Sequence, residues 1–102
     1  MTDLLELFTT LAAIPSPSGR EREVADRVAA WLRERGLEVE EDGAAAALGG
    51  DAGNLYCRLE PTAVGEPLFF CAHLDTVPPE GPIEPVAGED GFVRNAAGTI
   101  LG

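Results

Sequence analysis

The chain has 102 residues, of which 45% are hydrophobic and 25% are charged, and its formal net charge is −11 at pH 7. This length suits one domain at most, and the composition is typical of a soluble globular protein. The negative charge argues against a nucleic-acid partner, whose phosphates require a basic surface. No apolar run approaches the roughly 20 residues that span a bilayer, and the first residues lack the basic segment of a secretion signal. We therefore predict a cytoplasmic protein with neither a nucleic-acid nor a membrane partner.

Two residue types narrow the possible chemistry. All seven basic residues are arginine, which excludes a phosphate-binding loop lysine or a Schiff-base lysine in this segment. The two cysteines, Cys57 and Cys71, lie in apolar runs without a secretion signal before them. Buried free thiols are therefore predicted rather than a disulfide.

The first third of the chain predicts two helices. Apolar residues recur at helical spacing between Leu4 and Ala12, with Thr2 or Asp3 as the cap, and Pro15 ends this helix near Ile14.

The second helix is predicted to begin with a capping box formed by Ser18 and Glu21 and to end at Gly36, a residue that readily adopts a left-handed conformation. This capping role is preferred to a nucleophile role for Ser18, because neither Ser18 nor Ser16 lies in a Gly-x-Ser-x-Gly sequence. The apolar stripe of this helix consists of Val24, Val28, Trp31 and Leu32.

Strand patterns follow the helices. Residues 37–40 alternate as a half-exposed strand, residues 42–53 are predicted as an alanine- and glycine-rich loop, and residues 54–60 as a second strand. The apolar run at 67–72 suits a central strand covered on both faces, and 83–95 suits a hairpin. Two helices followed by strands predict an α/β layer fold.

The segment with the clearest chemistry follows the apolar run. His73, the single histidine, stands where the predicted buried strand ends, and Asp75 follows two residues later. Alternation along an extended chain places both side chains on one side. Asp75 could then accept the N–H of one imidazole nitrogen and leave the other nitrogen for a metal. Spacing alone leaves a metal ligand and a merely hydrogen-bonded histidine both open.

A family resemblance extends over nearly the whole chain. Residues 73–77 form the sequence His-Leu-Asp-Thr-Val, which resembles the H-x-D-[ST]-V signature of the co-catalytic zinc exopeptidases. That family includes peptidase T, carboxypeptidase G and succinyl-diaminopimelate desuccinylase. The segments 14–21, 53–55, 89–92 and 98–102 are similar to further family segments in the same order, and the Gly-Thr-Ile-Leu-Gly ending is similar to the peptidase T-like branch.

The resemblance implies a three-layer α/β sandwich with a mixed sheet, of which residues 1–102 would be the amino-terminal part of the catalytic domain. It implies that His73 binds one of two zinc ions and that Asp75 orients it. The bridging aspartate, the glutamate base and the lid or dimerisation domain would follow Gly102. The parent would hydrolyse a terminal amide bond of a short peptide or an acylated amino acid, most like a tripeptide aminopeptidase. It would form a homo-oligomer, whereas this chain alone would be inactive, bind zinc weakly and self-associate.

Two alternatives belong to other functional classes. The protein could be a non-catalytic homologue acting in binding or assembly, or an α/β domain whose His73 is structural. Other carboxylates that could replace missing ligands are interpreted as solvated surface groups; they are Glu80, Glu84, Glu89 and Asp90.

Overall fold

The first helix has the cap that the sequence predicts, and it ends at Ala12, two residues before the predicted end near Ile14. The computed structural model describes residues 3–102, and α1 spans Leu4–Ala12. The Asp3 carboxylate accepts hydrogen bonds from the backbone N–H groups of Leu5 and Glu6, at 2.9 and 3.2 Å. Such bonds satisfy donors that have no partner inside the helix. The alternative cap, Thr2, lies outside the described residues.

The second helix, α2 (Arg22–Arg33), begins without the predicted capping box. The Glu21 side chain accepts a hydrogen bond from the Gly19 N–H at 2.8 Å, and the Ser18 hydroxyl is bonded elsewhere. The first N–H of the helix, that of Arg22, instead donates to the Asp51 carboxylate at 3.0 Å. The prediction for Ser18 is wrong because a carboxylate from a distant loop supplies the cap.

An arginine at the start of α2 connects this helix to the first sheet. Arg22 donates two hydrogen bonds to the two carboxylate oxygens of Glu41, at 2.8 and 2.6 Å, and Glu41 also accepts from the Gly53 N–H at 3.1 Å. The bonds from Arg22, followed by the bond from Gly53, lower the pKa of Glu41 from its ordinary value to about 2. Glu41 therefore stays ionised at neutral pH and links helix to strand.

The first sheet has two antiparallel strands, β1 (Val39–Glu41) and β2 (Leu55–Cys57), with Val39 opposite Cys57. The chain between them contains a short helix, α3 (Ala44–Leu48), where a loop was predicted. Four consecutive alanines favour that helix, and the Asp42 carboxylate accepts from the Ala44 N–H at 3.0 Å. The loop prediction is therefore wrong for these five residues.

The apolar segment 67–72 forms no strand in the structure. Phe69 and Phe70 are 81% and 88% exposed, so the prediction of a central strand covered on both faces is wrong for this structure. A strand needs a hydrogen-bonded neighbour and apolar cover, and residues 3–102 supply neither to this segment. Both cysteines are free thiols; Cys57 is half-buried, but Cys71 is exposed, contrary to the predicted burial.

The predicted hairpin is confirmed. Strands β3 (Pro85–Ala87) and β4 (Val93–Asn95) pair antiparallel, with Pro85 opposite Asn95. The turn includes Gly91 at φ 84°, a left-handed conformation that favours glycine. The Asn95 side chain accepts hydrogen bonds from the N–H groups of Glu84 and Ala97, at 3.0 and 3.1 Å. It thus connects the residue before β3 to the chain that follows β4, at the open end of the hairpin.

The buried core is small. Among residues 3–102 the buried apolar side chains are Val24, Ala25 and Ala29, all on α2. The accessible surface is 7895 Å², against about 5,500 Å² expected for a compact monomer of this mass. Over the described residues the fold is α/β, with two separate two-stranded antiparallel sheets. Within residues 3–102, no helix has the length and apolar character needed to cross a membrane.

Candidate metal-binding site

The segment that carries His73 is attached to the junction between α1 and α2. The Thr76 N–H donates to the Ser16 carbonyl oxygen at 2.7 Å. The Ser16 hydroxyl donates to the Leu74 carbonyl oxygen at 2.9 Å, and Ser16 is fully buried. Both bonds join parts of the chain that are far apart in sequence, and together they set the position of the loop around His73.

His73 and Asp75 lie on the same side of the chain, as period-two alternation predicts. Nδ1 of His73 is 3.1 Å from Oδ1 of Asp75 and 2.7 Å from the Asp75 carbonyl oxygen. A carbonyl oxygen and an ionised carboxylate are both acceptors only, so Nδ1 must carry the proton in these contacts. In the neutral imidazole, Nε2 then has a free lone pair, which is the form that binds a metal.

The pair is open to solvent. The side chain of His73 is 83% exposed and that of Asp75 is 41% exposed, so an ion from solution can reach Nε2. Imidazole nitrogen is a common zinc ligand, but a catalytic zinc normally takes three protein ligands. Residues 3–102 contain no group of three or more His, Cys, Asp or Glu side chains arranged to hold a metal. His73 could therefore supply one ligand of a zinc site, and residues 3–102 do not supply the others.

Ser18 is a further member of the site, and reasoning from the sequence missed it. Its hydroxyl donates to Oδ2 of Asp75 at 2.5 Å, across 57 residues. This bond lowers the pKa of Asp75, and the charge of a protonated His73 lowers it further. Asp75 is therefore kept as an ionised acceptor. No local pattern indicates this contact, because its two residues are 57 positions apart. The local sequence around Ser18 indicates only a helix cap.

The carboxylates considered as substitute ligands lie on the surface, as predicted. Glu80, Glu84, Glu89 and Asp90 are all exposed. Asp90 forms an ion pair with Arg94 at 2.8 Å, in which the hydrogen bonds from Arg94 lower the pKa of Asp90. That arrangement supports the hairpin rather than the surroundings of His73.

This chain resembles two known proteins over nearly its whole length. No protein-family model matches it. It is 36% identical, over 99 residues, to the uncharacterized protein YqjE of Bacillus subtilis (strain 168), covering 97% of this chain and 26% of that protein. It is 33% identical over 112 residues to the cytosol non-specific dipeptidase of Escherichia coli (strain K12), covering 97% of this chain and 21% of the dipeptidase.

A solved structure agrees with these sequence matches. The crystal structure of aminopeptidase PepT from Bacillus cereus ATCC 10987 superimposes with a TM-score of 0.86 at 35% identity, over 97% of this chain and 26% of that one. The chain thus spans about a quarter of the length of the proteins it matches. Along almost all of its residues, this chain therefore resembles part of an aminopeptidase in structure and part of a dipeptidase in sequence.

Proposed function

We propose that the protein carrying this chain is a zinc-dependent exopeptidase that hydrolyses the terminal peptide bond of a short peptide, most like a tripeptide aminopeptidase. The observation that carries the proposal is the exposed His73 imidazole, whose Nδ1 lies 3.1 Å from the Asp75 carboxylate. The names of two relatives, an aminopeptidase and a dipeptidase, support the reaction class.

The two residues have separate roles in this proposal. Nε2 of His73 would bind one of two zinc ions, and Asp75 would accept a hydrogen bond from Nδ1–H and hold the ring in place. Zinc, when bound, polarises the scissile carbonyl and lowers the pKa of a bound water. The remaining ligands and the carboxylate that moves the proton would come from sequence following Gly102.

The surroundings of His73 are consistent with ligands from that sequence. A methyl group placed on Gly102 would lie 3.4 Å from the side-chain methyl of Thr76, so the end of this chain lies beside the loop of His73. A three-layer sandwich with a mixed sheet would also give the exposed segment 67–72 its missing neighbours. We further propose a cytoplasmic location, in line with the name of the cytosol non-specific dipeptidase, and a homo-oligomeric state.

The test uses the whole protein that carries this chain, treated with a chelator and then supplied with zinc. We expect zinc to restore the release of amino-terminal residues from tripeptides, and two zinc ions to bind per subunit. His73→Ala should reduce kcat/KM by at least about a hundredfold, because loss of only the partner that orients a metal ligand already costs about 10- to 100-fold. Glu60→Ala, which changes an exposed carboxylate outside the site, should leave hydrolysis unchanged. Full activity in the His73→Ala variant would contradict the proposal.

A further inference from the structure

We propose that Ser18 is a positioning residue that acts on His73 through Asp75. Its hydroxyl holds the carboxylate in the orientation that keeps His73 protonated on Nδ1 and leaves Nε2 free. The functional meaning of this arrangement rests on the proposed role of His73 as a metal ligand.

The two oxygens of Asp75 have different partners. Oδ2 accepts from the Ser18 hydroxyl at 2.5 Å, whereas Oδ1 lies 3.1 Å from Nδ1 of His73. The Asp75 carbonyl oxygen, 2.7 Å from Nδ1, is a second acceptor that favours the same tautomer, so the carboxylate adds to its effect. The terminal torsion of an aspartate is broad and roughly two-fold, so a carboxylate with one free oxygen can rotate with little cost. A hydrogen bond on the far oxygen restricts that rotation and fixes the plane that faces the imidazole.

The backbone around Ser18 is held in place by bonds that do not involve the Asp75 side chain. Ser16, two residues earlier, is fully buried and bonded to Leu74 and Thr76. On the other side, the Gly19 carbonyl oxygen accepts from the Asp51 N–H at 3.2 Å, and the Gly19 N–H donates to Glu21 at 2.8 Å. The hydroxyl is therefore presented to Asp75 from a turn with anchors on both sides.

A purely structural role for Ser18 would change stability without changing the imidazole. Ser18 is exposed, so its replacement by alanine removes a hydroxyl and leaves no buried cavity. The tautomer of His73 separates the two roles, because it depends on which groups face Nδ1 and Nε2. His73 is the only histidine of the chain, so its ring gives a single pair of nitrogen signals.

The experiment is ¹⁵N NMR of the 102-residue chain labelled at histidine, without metal, at about pH 9, well above the ordinary histidine pKa of about 6.5. We expect the Nδ1-protonated form to predominate in the unmodified chain. In Ser18→Ala the ratio of Nδ1–H to Nε2–H should fall by about threefold or more, the effect of one weakened hydrogen bond. Ser18→Thr, which keeps the hydroxyl, should restore the ratio, and Thr9→Ala on α1 should not change it.

Amide spectra of the same samples show whether each variant is folded. If Ser18→Ala unfolds, Ser18→Cys replaces it in the test, because a thiol is similar in size to the hydroxyl but is a weak donor. In that variant too, the ratio of Nδ1–H to Nε2–H should fall. An unchanged ratio in the folded variant, a predominant Nε2–H form in the unmodified chain, or a threonine variant that fails to restore the ratio would each overturn the proposal. None of these results depends on hydrolysis, so failure here is distinct from failure of the His73→Ala activity test.

Discussion

The hydroxyl of Ser16 and the carbonyl oxygen of Leu74, 58 residues apart in sequence, are joined by a hydrogen bond of 2.9 Å. Ser16 is fully buried, and its own carbonyl oxygen accepts from the Thr76 N–H. Through these bonds, a residue that precedes α2 determines where the loop of His73 lies. The candidate site therefore depends on a contact outside its own loop.

Replacement of Ser16 by alanine should lower the free energy of unfolding by about 1–3 kcal/mol, because it leaves the Leu74 carbonyl without its donor in a partly buried place. Chemical denaturation followed by circular dichroism measures this change. Thr9→Ala, which removes a hydroxyl bonded to helix carbonyls on the surface of α1, should change stability by about 0.5 kcal/mol or less. Equal stability of the two variants would contradict the role given to Ser16.

The Arg22–Glu41 contact should make stability depend on pH in the acid range. The pKa of Glu41 is lowered to about 2 in the folded protein, against about 4.3 for an unperturbed glutamate. A depressed carboxylate stabilises the fold above its unfolded pKa, and this contribution is lost as the pH falls through the folded value. Between about pH 4.3 and pH 2, Glu41→Gln should therefore lose less stability than the unmodified chain.

The matched control for that titration is Glu40→Gln, which makes the same charge change at the neighbouring position of β1. Asp42, Asp75 and Asp90 also have lowered pKa values, so some dependence on pH remains in every variant. Only the Glu41 variant should show a reduced slope of unfolding free energy against pH. Identical slopes in both variants would contradict the assignment.

Gly53 should not tolerate a side chain. A Cβ atom at this position would lie 2.3 Å from the backbone oxygen of Asp42 and 2.8 Å from its Oδ1. Gly53→Ala should therefore destabilise the protein by about 1–3 kcal/mol through a forced shift of the backbone. At Gly43 the same substitution meets no atom within 4 Å and should change stability by about 0.5 kcal/mol or less. Thermal melts of the two variants test the difference.

The chain alone should bind zinc weakly and show no peptidase activity. One imidazole with an orienting carboxylate leaves the ion mostly hydrated, and structural affinity for zinc needs several protein ligands. Calorimetry with zinc chloride and protein without an affinity tag should give no sub-micromolar isotherm. Tight 1:1 binding that His73→Ala abolishes would contradict this prediction.

The exposed apolar segment should cause self-association. Leu68, Phe69 and Phe70 are each more than four-fifths exposed, and a contiguous apolar patch of this kind favours association. The charge of −11 opposes it, but salt screens that repulsion beyond about 8–10 Å. Sedimentation velocity at several concentrations should show a rising mean mass, and the double replacement Phe69→Ser and Phe70→Ser should suppress it.

The control for association is Val64→Ser, at a fully exposed position outside the 67–72 segment. It should associate like the unmodified chain. A monodisperse monomer that melts cooperatively and binds no hydrophobic dye would contradict the prediction. It would show that the apolar segment 67–72 needs no additional residues packed against it.

Local patterns predicted most elements that depend on their own neighbours in the sequence, although the short helix α3 was missed. The Asp3 cap, the left-handed Gly36 that follows α2 and the hairpin of β3 and β4 were all predicted, because capping, left-handed glycine and turn chemistry act over a few residues. The alternation at His73 and Asp75 likewise predicted their contact.

Contacts between distant residues were decided only by the tertiary structure. Ser18 fits a capping box by sequence, but its hydroxyl binds Asp75, and the N–H at the start of α2 is satisfied by Asp51. The apolar segment 67–72 has the composition of a buried strand, yet it is exposed. The physical reason is the same in each case. A side chain bonds or packs with whatever the fold brings to it, and sequence spacing carries no information about a partner tens of residues away.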